Sequence, residues 1–148
     1  MKSLDMPPFW TAVAWAVAFG LARILPEPGW DSVGLRWLGL AWIALGFLLA
    51  VWAAILFWRR RTPIEPRHTP TALISDGPYR LTRNPIYLAM VVATAGWAIW
   101  LGAVWGLLVI PFLWFTLDRR FVREEETLLR ANFGEDAEEY LLNTRRWL

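Results

Sequence analysis

The sequence contains no cysteine, which excludes disulfides, thiolate metal sites and thiol nucleophiles. One histidine, His68, is too few for a histidine-rich metal centre or a haem site. Lysine is nearly absent: Lys2 stands against fourteen arginines, a bias that points to a GC-rich bacterial source. Charged residues make up only 19% of the chain and leave a net +2, which argues for membrane orientation over nucleic-acid binding. There is no internal repeat, low-complexity tract or strand pattern, and 148 residues suffice for a single domain, 1–148.

What fills the chain is apolar. Hydrophobic residues make up 57% of it, with twelve tryptophans, and they come in long blocks that predict an all-α integral membrane protein. Residues 9–25 form the first span; no small-residue cleavage site follows, as a secretory leader would require, and Pro26-Glu27-Pro28-Gly29 reads as a turn. Residues 35–58 form the second, long enough to cross ~30 Å of hydrocarbon with some tilt, and end at Arg59-Arg60-Arg61. Residues 86–117 carry no charge, and Gly102 divides them into spans 86–101 and 103–117, a tight helical hairpin. Each arm would be about 24 Å long at ~1.5 Å per residue. Pro111 should kink the second arm, and Ala89, Ala93 and Gly96, with Gly102 and Gly106, are available for close packing of the two arms. Trp15, Trp42, Trp52, Trp97 and Trp114 lie too deep for an interfacial belt and are candidates to line a lipid-facing cavity.

Residues 59–84 hold six arginines against Glu65 and Asp76, a net +4 that places this loop and both termini on the cytoplasmic side. Arg59 to Arg61 read as a topology signal and a lipid-headgroup contact. The candidate polar site falls between Asp76 and Tyr87. Gly77-Pro78 forces a turn, Asn84 is placed as the cap of a helix and Pro85 as its first residue. Tyr79, Arg80 and Arg83 are thereby held at the mouth of a membrane helix, where arginine and free N–H groups suit an anion such as a carboxylate.

After residue 117 the composition turns polar, with helices predicted over 118–132 and 135–146 and Gly134 as the break. Helical spacing pairs Glu124 with Arg120, and Glu126 with Arg123 or Arg130. Glu125 instead shares a stripe with Phe121, Leu128 and Leu129. There a carboxylate is costly unless a cation or strong donors meet it.

Gly77-Pro78-Tyr79-Arg80, Arg83-Asn84-Pro85, Tyr87, the uncharged hairpin, Glu125-Glu126, Leu129, Phe133-Gly134, Tyr140 and Arg145 together resemble one family. It is that of the integral-membrane methyltransferases related to isoprenylcysteine carboxyl methyltransferase and the phospholipid N-methyltransferases, and the match covers roughly residues 63–148. The resemblance implies that the loop 63–85 and the C-terminal helices enclose S-adenosylmethionine at the cytosolic face, with no Rossmann sheet, while a lipophilic acceptor arrives from the bilayer. It implies cofactor contacts from Tyr79, Arg80, Arg83, Asn84, Pro85, Tyr87, Glu125 and Glu126. Methyl transfer from a sulfonium needs alignment and water exclusion and no metal. Arg145 and Glu125 are the expected catalytic residues, Arg145 orienting a carboxylate acceptor; an amine acceptor would need a proton sink. The chain departs from the family pattern at Asn84, where histidine is common, at Ala89 for glycine and at Ala137 for tyrosine. Two competing readings stand beside this one: an NADPH-dependent membrane reductase whose cofactor phosphate meets Arg80 and Arg83, and a non-catalytic scaffold that binds anionic lipid.

Overall fold

A computed structural model describes residues 5–26 and 32–148; most of the predicted 26–29 turn lies outside them. Every regular element among the described residues is helical. Helix α1 spans Pro7–Ile24, α2 Val33–Arg60, α3 Pro85–Trp100, α4 Val109–Leu117 and α5 Arg123–Asn143. Tight single turns at Gly77–Arg80 and Trp105–Leu108 lead into α3 and α4, and a wide π turn at Asp118–Val122 joins α4 to α5.

Among the described residues, α2 is the one helix both long and apolar enough to cross a membrane, with 28 residues and a mean hydropathy of 2.5 over its most apolar window. The other three expected spans correspond to helices of 18, 16 and 9 residues. The shortness of α4 has a local cause. Gly102 takes φ 68° and a tight turn occupies Trp105–Leu108, so the α-helix starts only at Val109. Pro111 then falls in the first turn of α4, where its missing N–H has no partner to lose, so it helps to start the helix instead of kinking it. Nothing in the sequence stops the helix at residue 117, and the chain continues through the π turn into α5. The predicted break at Gly134 is present as a left-handed residue (φ 52°, ψ −122°) between the two halves of α5.

The small residues divide: Gly106 serves the hairpin, a Cβ there lying 3.4 Å from Ala98 of α3, whereas Ala89, Ala93 and Gly96 bring α3 against α2. A Cβ built on Gly39 would lie 2.5 Å from Trp100 N, one on Gly46 2.7 Å from the Ala89 carbonyl, and one on Gly96 2.6 Å from the Gly39 carbonyl. The two helices run antiparallel with their backbones in contact, because α2 buries only small residues and Leu56 on that side: Gly39, Gly46 and Ala53. Gly96→Val should therefore force α2 and α3 apart; the expected result is loss of a monodisperse peak when the detergent-extracted variant is run on a sizing column beside wild type.

The opposite side of α3 meets α1. Trp15 and Trp97 stack with ring centroids 4.9 Å apart, Trp15 Nε1 donates to Thr94 Oγ1 at 2.9 Å, and Trp97 Nε1 donates to the Trp15 carbonyl at 3.1 Å. Trp42, Trp52 and Trp114 point outward, and none of the five deep tryptophans lines the internal cavity. Their role is packing and outer apolar surface. The core gathers around Phe121, Leu117, Leu113, Ala18 and Tyr87, where α1, α3, α4 and the π turn converge.

Candidate functional site

The loop after α2 is shaped by three local devices. Arg61 ends the helix in a left-handed conformation (φ 52°), Thr62 Oγ1 accepts the Thr71 N–H at 2.9 Å, and Gly77 (φ 57°) reverses the chain into the Pro78–Tyr79 turn. Tyr79 is thereby buried with its ring edge-on to Phe57, centroids 5.8 Å apart. Its neighbour Arg80 is exposed and stands outside the cavity. A turn with about three residues per revolution sends adjacent side chains in directions roughly 120° apart, so Tyr79 and Arg80 cannot both face inward.

Asn84 occupies the cap position of α3 and Pro85 its first residue, but the Asn84 side chain does not cap the helix. Its Nδ2 donates to the Arg146 carbonyl at 2.8 Å instead. Arg83 is drawn to the same tail. Its Nε donates to the Thr144 carbonyl at 2.6 Å, its Nη1 to Glu126 Oε1 at 2.9 Å and its Nη2 to the Leu141 carbonyl. That uses three of the five N–H donors of the guanidinium.

The three glutamates at the start of α5 diverge, as neighbours on a helix must. Glu124 is exposed and accepts from Arg67 Nε at 2.9 Å. Glu126 is buried beneath Arg83 and Arg146; Arg146 Nε reaches its Oε1 at 2.8 Å and Arg146 Nη2 its Oε2 at 2.7 Å. Burial alone would raise the Glu126 carboxyl, but the hydrogen bonds from Arg146 and Arg83 outweigh it and hold the group below its ordinary range. The expected partners of Glu124 and Glu126 are engaged elsewhere: Arg120 with Asp5, Arg123 with Asp118 and Arg130 with Glu138. The π turn explains part of this. It places Arg123 against Asp118, five residues back, and puts Arg120 out of register with Glu124.

Glu125 alone of the three faces a cavity. This space, about 360 Å³, lies between α2 (Ala50, Ala54, Phe57), the loop 63–74, the start of α3 (Ile86, Tyr87, Met90) and α5 (Glu125, Leu128, Leu129, Tyr140). Met6, Pro7 and Pro8 close one side of it. They are fixed by Asp5, which accepts from Arg67, Arg120 and Trp10 Nε1 at 2.9–3.1 Å and is held well below the usual carboxylate range by these donors. Most of the lining is apolar, and its polar members are few: Tyr79, Arg83, Asn84, Tyr87, Glu125 and Tyr140 inside, with Glu65, Arg67 and His68 towards the loop.

Among the described residues, the hydrogen-bond partner of the Glu125 carboxylate is the Tyr87 hydroxyl, which donates to Oε1. No cation among the described residues pairs with it: Arg83 is turned to Glu126, and Arg67 to Asp5 and Glu124. Burial therefore dominates and pushes the Glu125 carboxyl up to about 7, opposed by the Tyr87 hydrogen bond and helped by the nearby charge of Glu124. Tyr79 is raised too, first by burial and then by the Glu125 charge, which places its phenol near the same carboxylate. A second bond closes the cavity from α5, as Tyr140 Oη donates to the Tyr79 carbonyl at 2.9 Å.

The structure thus brings Tyr79, Arg83, Asn84, Tyr87 and Glu125 to one cavity, with Pro85 buried behind them. Arg80, Glu126 and Arg145 are not part of its lining. Glu126 is consumed by two arginines, and Arg145 is exposed, its main-chain carbonyl rather than its side chain reaching the loop by accepting the Arg83 N–H at 2.9 Å. Sequence reasoning missed Ala50, Ala54, Met90 and Arg146. Ala50 and Ala54 lie one turn apart, but α2 is apolar on every face and hides which stripe looks inward.

No curated protein and no solved structure matches the chain. A family model does, from residue 35 in α2 to residue 136 in α5, more than half of the chain, and it includes the loop, Tyr79 to Tyr87 and Glu125. The chain belongs to the phospholipid methyltransferase family, a family of membrane-associated methyltransferases.

Proposed function

We propose that the protein transfers a methyl group from S-adenosylmethionine to a lipophilic acceptor dissolved in the bilayer, a lipid amine or carboxylate, at the cytosolic face. In this reading α1, α2, α3 and the return through α4 are all membrane-embedded, and the +4 loop is inside. The observation that carries it is Glu125, a carboxylate facing a largely apolar cavity with a tyrosine for a partner and no cation paired with it among the described residues. Such a site favours a cationic ligand. A cavity of about 360 Å³ falls within the ~300–1,000 Å³ of small-molecule sites. Tyr79, Tyr87 and Tyr140 add ring faces, and the two uncommitted N–H donors of Arg83 suit a carboxylate.

S-adenosylmethionine bound here would supply an electrophilic methyl group on a positively charged sulfur. The protein's own residues have three tasks. Glu125 holds the cation, while Leu128, Leu129 and Ile74 exclude water and so strengthen that attraction. The cavity fixes the donor and acceptor in line, which can be worth ~7–11 kcal/mol in the best cases. With its carboxyl near neutrality, Glu125 can also take the proton released by an amine acceptor, on the oxygen that Tyr87 leaves open.

Titration of the detergent-purified protein with S-adenosylmethionine should give saturable binding that NADPH does not displace. Incubation of membranes with the methyl-labelled cofactor should then place label in the lipid extract. Displacement by NADPH would support the reductase, and absence of binding by either would support the scaffold.

The pH dependence has a defined sign. A cation binds the ionised carboxylate, so its affinity should weaken by about tenfold per unit below the Glu125 value of about 7 and be flat above it. Stability of the free protein runs the other way. A carboxyl raised on folding contributes stability at low pH that is lost as pH rises from its ordinary range through about 7, whereas Glu126, held low, loses its contribution as pH falls. Calorimetric titrations across this range read both.

A further inference from the structure

We infer that Arg146 is a positioning residue: acting through Glu126 and its own main chain, it clamps the chain's tail onto residues 82–84 and so fixes the Tyr79–Asn84 wall of the cavity. Four hydrogen bonds join the two segments directly. The Arg83 N–H donates to the Arg145 carbonyl at 2.9 Å, Arg83 Nε to the Thr144 carbonyl at 2.6 Å, and Thr82 Oγ1 and Asn84 Nδ2 both donate to the Arg146 carbonyl, at 3.1 and 2.8 Å. Apart from the tail, the wall is held by the packing of Tyr79 on Ala53, Leu56 and Phe57 of α2 and on Ile74 of the loop, and by its continuation through Asn84 into α3, where the Leu88 N–H donates to the Asn84 carbonyl at 2.9 Å. The tail is anchored beyond the clamp, where Trp147 Nε1 donates to Asp118 Oδ1 at 3.3 Å, and α5 itself touches the wall where Tyr140 Oη donates to the Tyr79 carbonyl.

The Arg146 side chain sits at the centre of this clamp. Its two-point grip leaves Glu126, which is only 3% exposed, shared between one arginine of the tail and one of the loop. Without Arg146, Glu126 is left to Arg83 alone, and the tail loses the one side chain that ties it to α5 at that point. A planar fork on a carboxylate sets direction as well as charge. The consequence for S-adenosylmethionine rests on the function proposed above; the consequence for the loop does not.

The test is hydrogen exchange of the full chain in detergent without any cofactor, paired with steady-state kinetics. Arg146→Ala should speed exchange of the Arg83 amide and of residues 79–84 by at least tenfold, and raise the KM for S-adenosylmethionine about tenfold while kcat stays within about threefold. Arg146→Lys keeps the charge but not the fork and should fall between, which also carries the test if the alanine variant does not fold. Arg130→Ala removes an exposed pair with Glu138 on the same helix and should leave the loop exchange as in wild type. Unchanged protection of residues 79–84 in both Arg146 variants would overturn the inference. A wild-type protein that fails to bind S-adenosylmethionine would instead overturn the proposed function, and the exchange arm would still decide this point.

Discussion

Glu125→Ala should weaken the proposed binding of S-adenosylmethionine by about 100- to 1,000-fold. The size follows from the setting: truncating one partner of a buried charge pair costs ~2–5 kcal/mol, much of it from leaving the other charge unpaired in a dry site. Glu125→Gln separates charge from shape. It keeps an acceptor for the Tyr87 hydroxyl, so the cavity stays formed, but it cannot offset a positive ligand. Its residual binding should no longer vary with pH near 7. Because wild type carries an uncompensated carboxylate there, Glu125→Gln should also melt at a higher temperature than wild type at pH 8, an exchange of stability for function. Thermal unfolding in detergent beside a binding titration reads both effects, and a glutamine variant that binds as tightly as wild type would remove Glu125 from the site.

The second large effect belongs to Arg83. Its side chain supplies bonds to Glu126 and to the Thr144 and Leu141 carbonyls, and only 17% of it is exposed. Arg83→Ala leaves the buried Glu126 with Arg146 alone and two tail carbonyls without donors. A cost of about 3–5 kcal/mol is expected, the usual result of breaking a buried ion pair from one side. Arg83→Lys restores a charge but reaches one of the three acceptors at best, and should recover less than half of the loss. A lowered melting temperature together with lost cofactor binding is the expected pair of outcomes; wild-type melting in Arg83→Ala would show that the clamp carries little of the stability.

Several parts of this architecture were legible in the sequence because a local rule fixed them. Gly77 and Gly134 take positive φ where turn chemistry required it, Asn84-Pro85 starts α3, and Glu125 lies on the inward stripe. What could not be read depended on register or on distant partners. A π turn is invisible to a pattern based on 3.6 residues per turn, so Arg120 was paired with Glu124, and the pairing of Glu126 was missed because its partners, Arg83 and Arg146, are distant in sequence. Small residues in α3 announced a close approach but not to which helix; the answer lay in Gly39 and Gly46, inside a span apolar on all sides. Arg145 and Arg146 are adjacent and chemically identical, and only the path of the tail after Asn143 turns Arg146 towards Glu126 and leaves Arg145 in solvent. The family match reaches residue 136, so the tail that bonds residues 82–84 lies beyond it.

The central claim is that the Tyr79–Tyr87 loop and the Glu125 turn of α5 form two walls of one cofactor site. It is tested most directly by irradiating the purified protein with methyl-labelled S-adenosylmethionine and mapping the cross-linked peptides. The account predicts label in both segments, around residues 79–87 and 125–129, lost when unlabelled cofactor is in excess. Label confined to the shallow basic pocket at Trp58, Arg59 and Arg61, or label that excess cofactor does not displace, would contradict it.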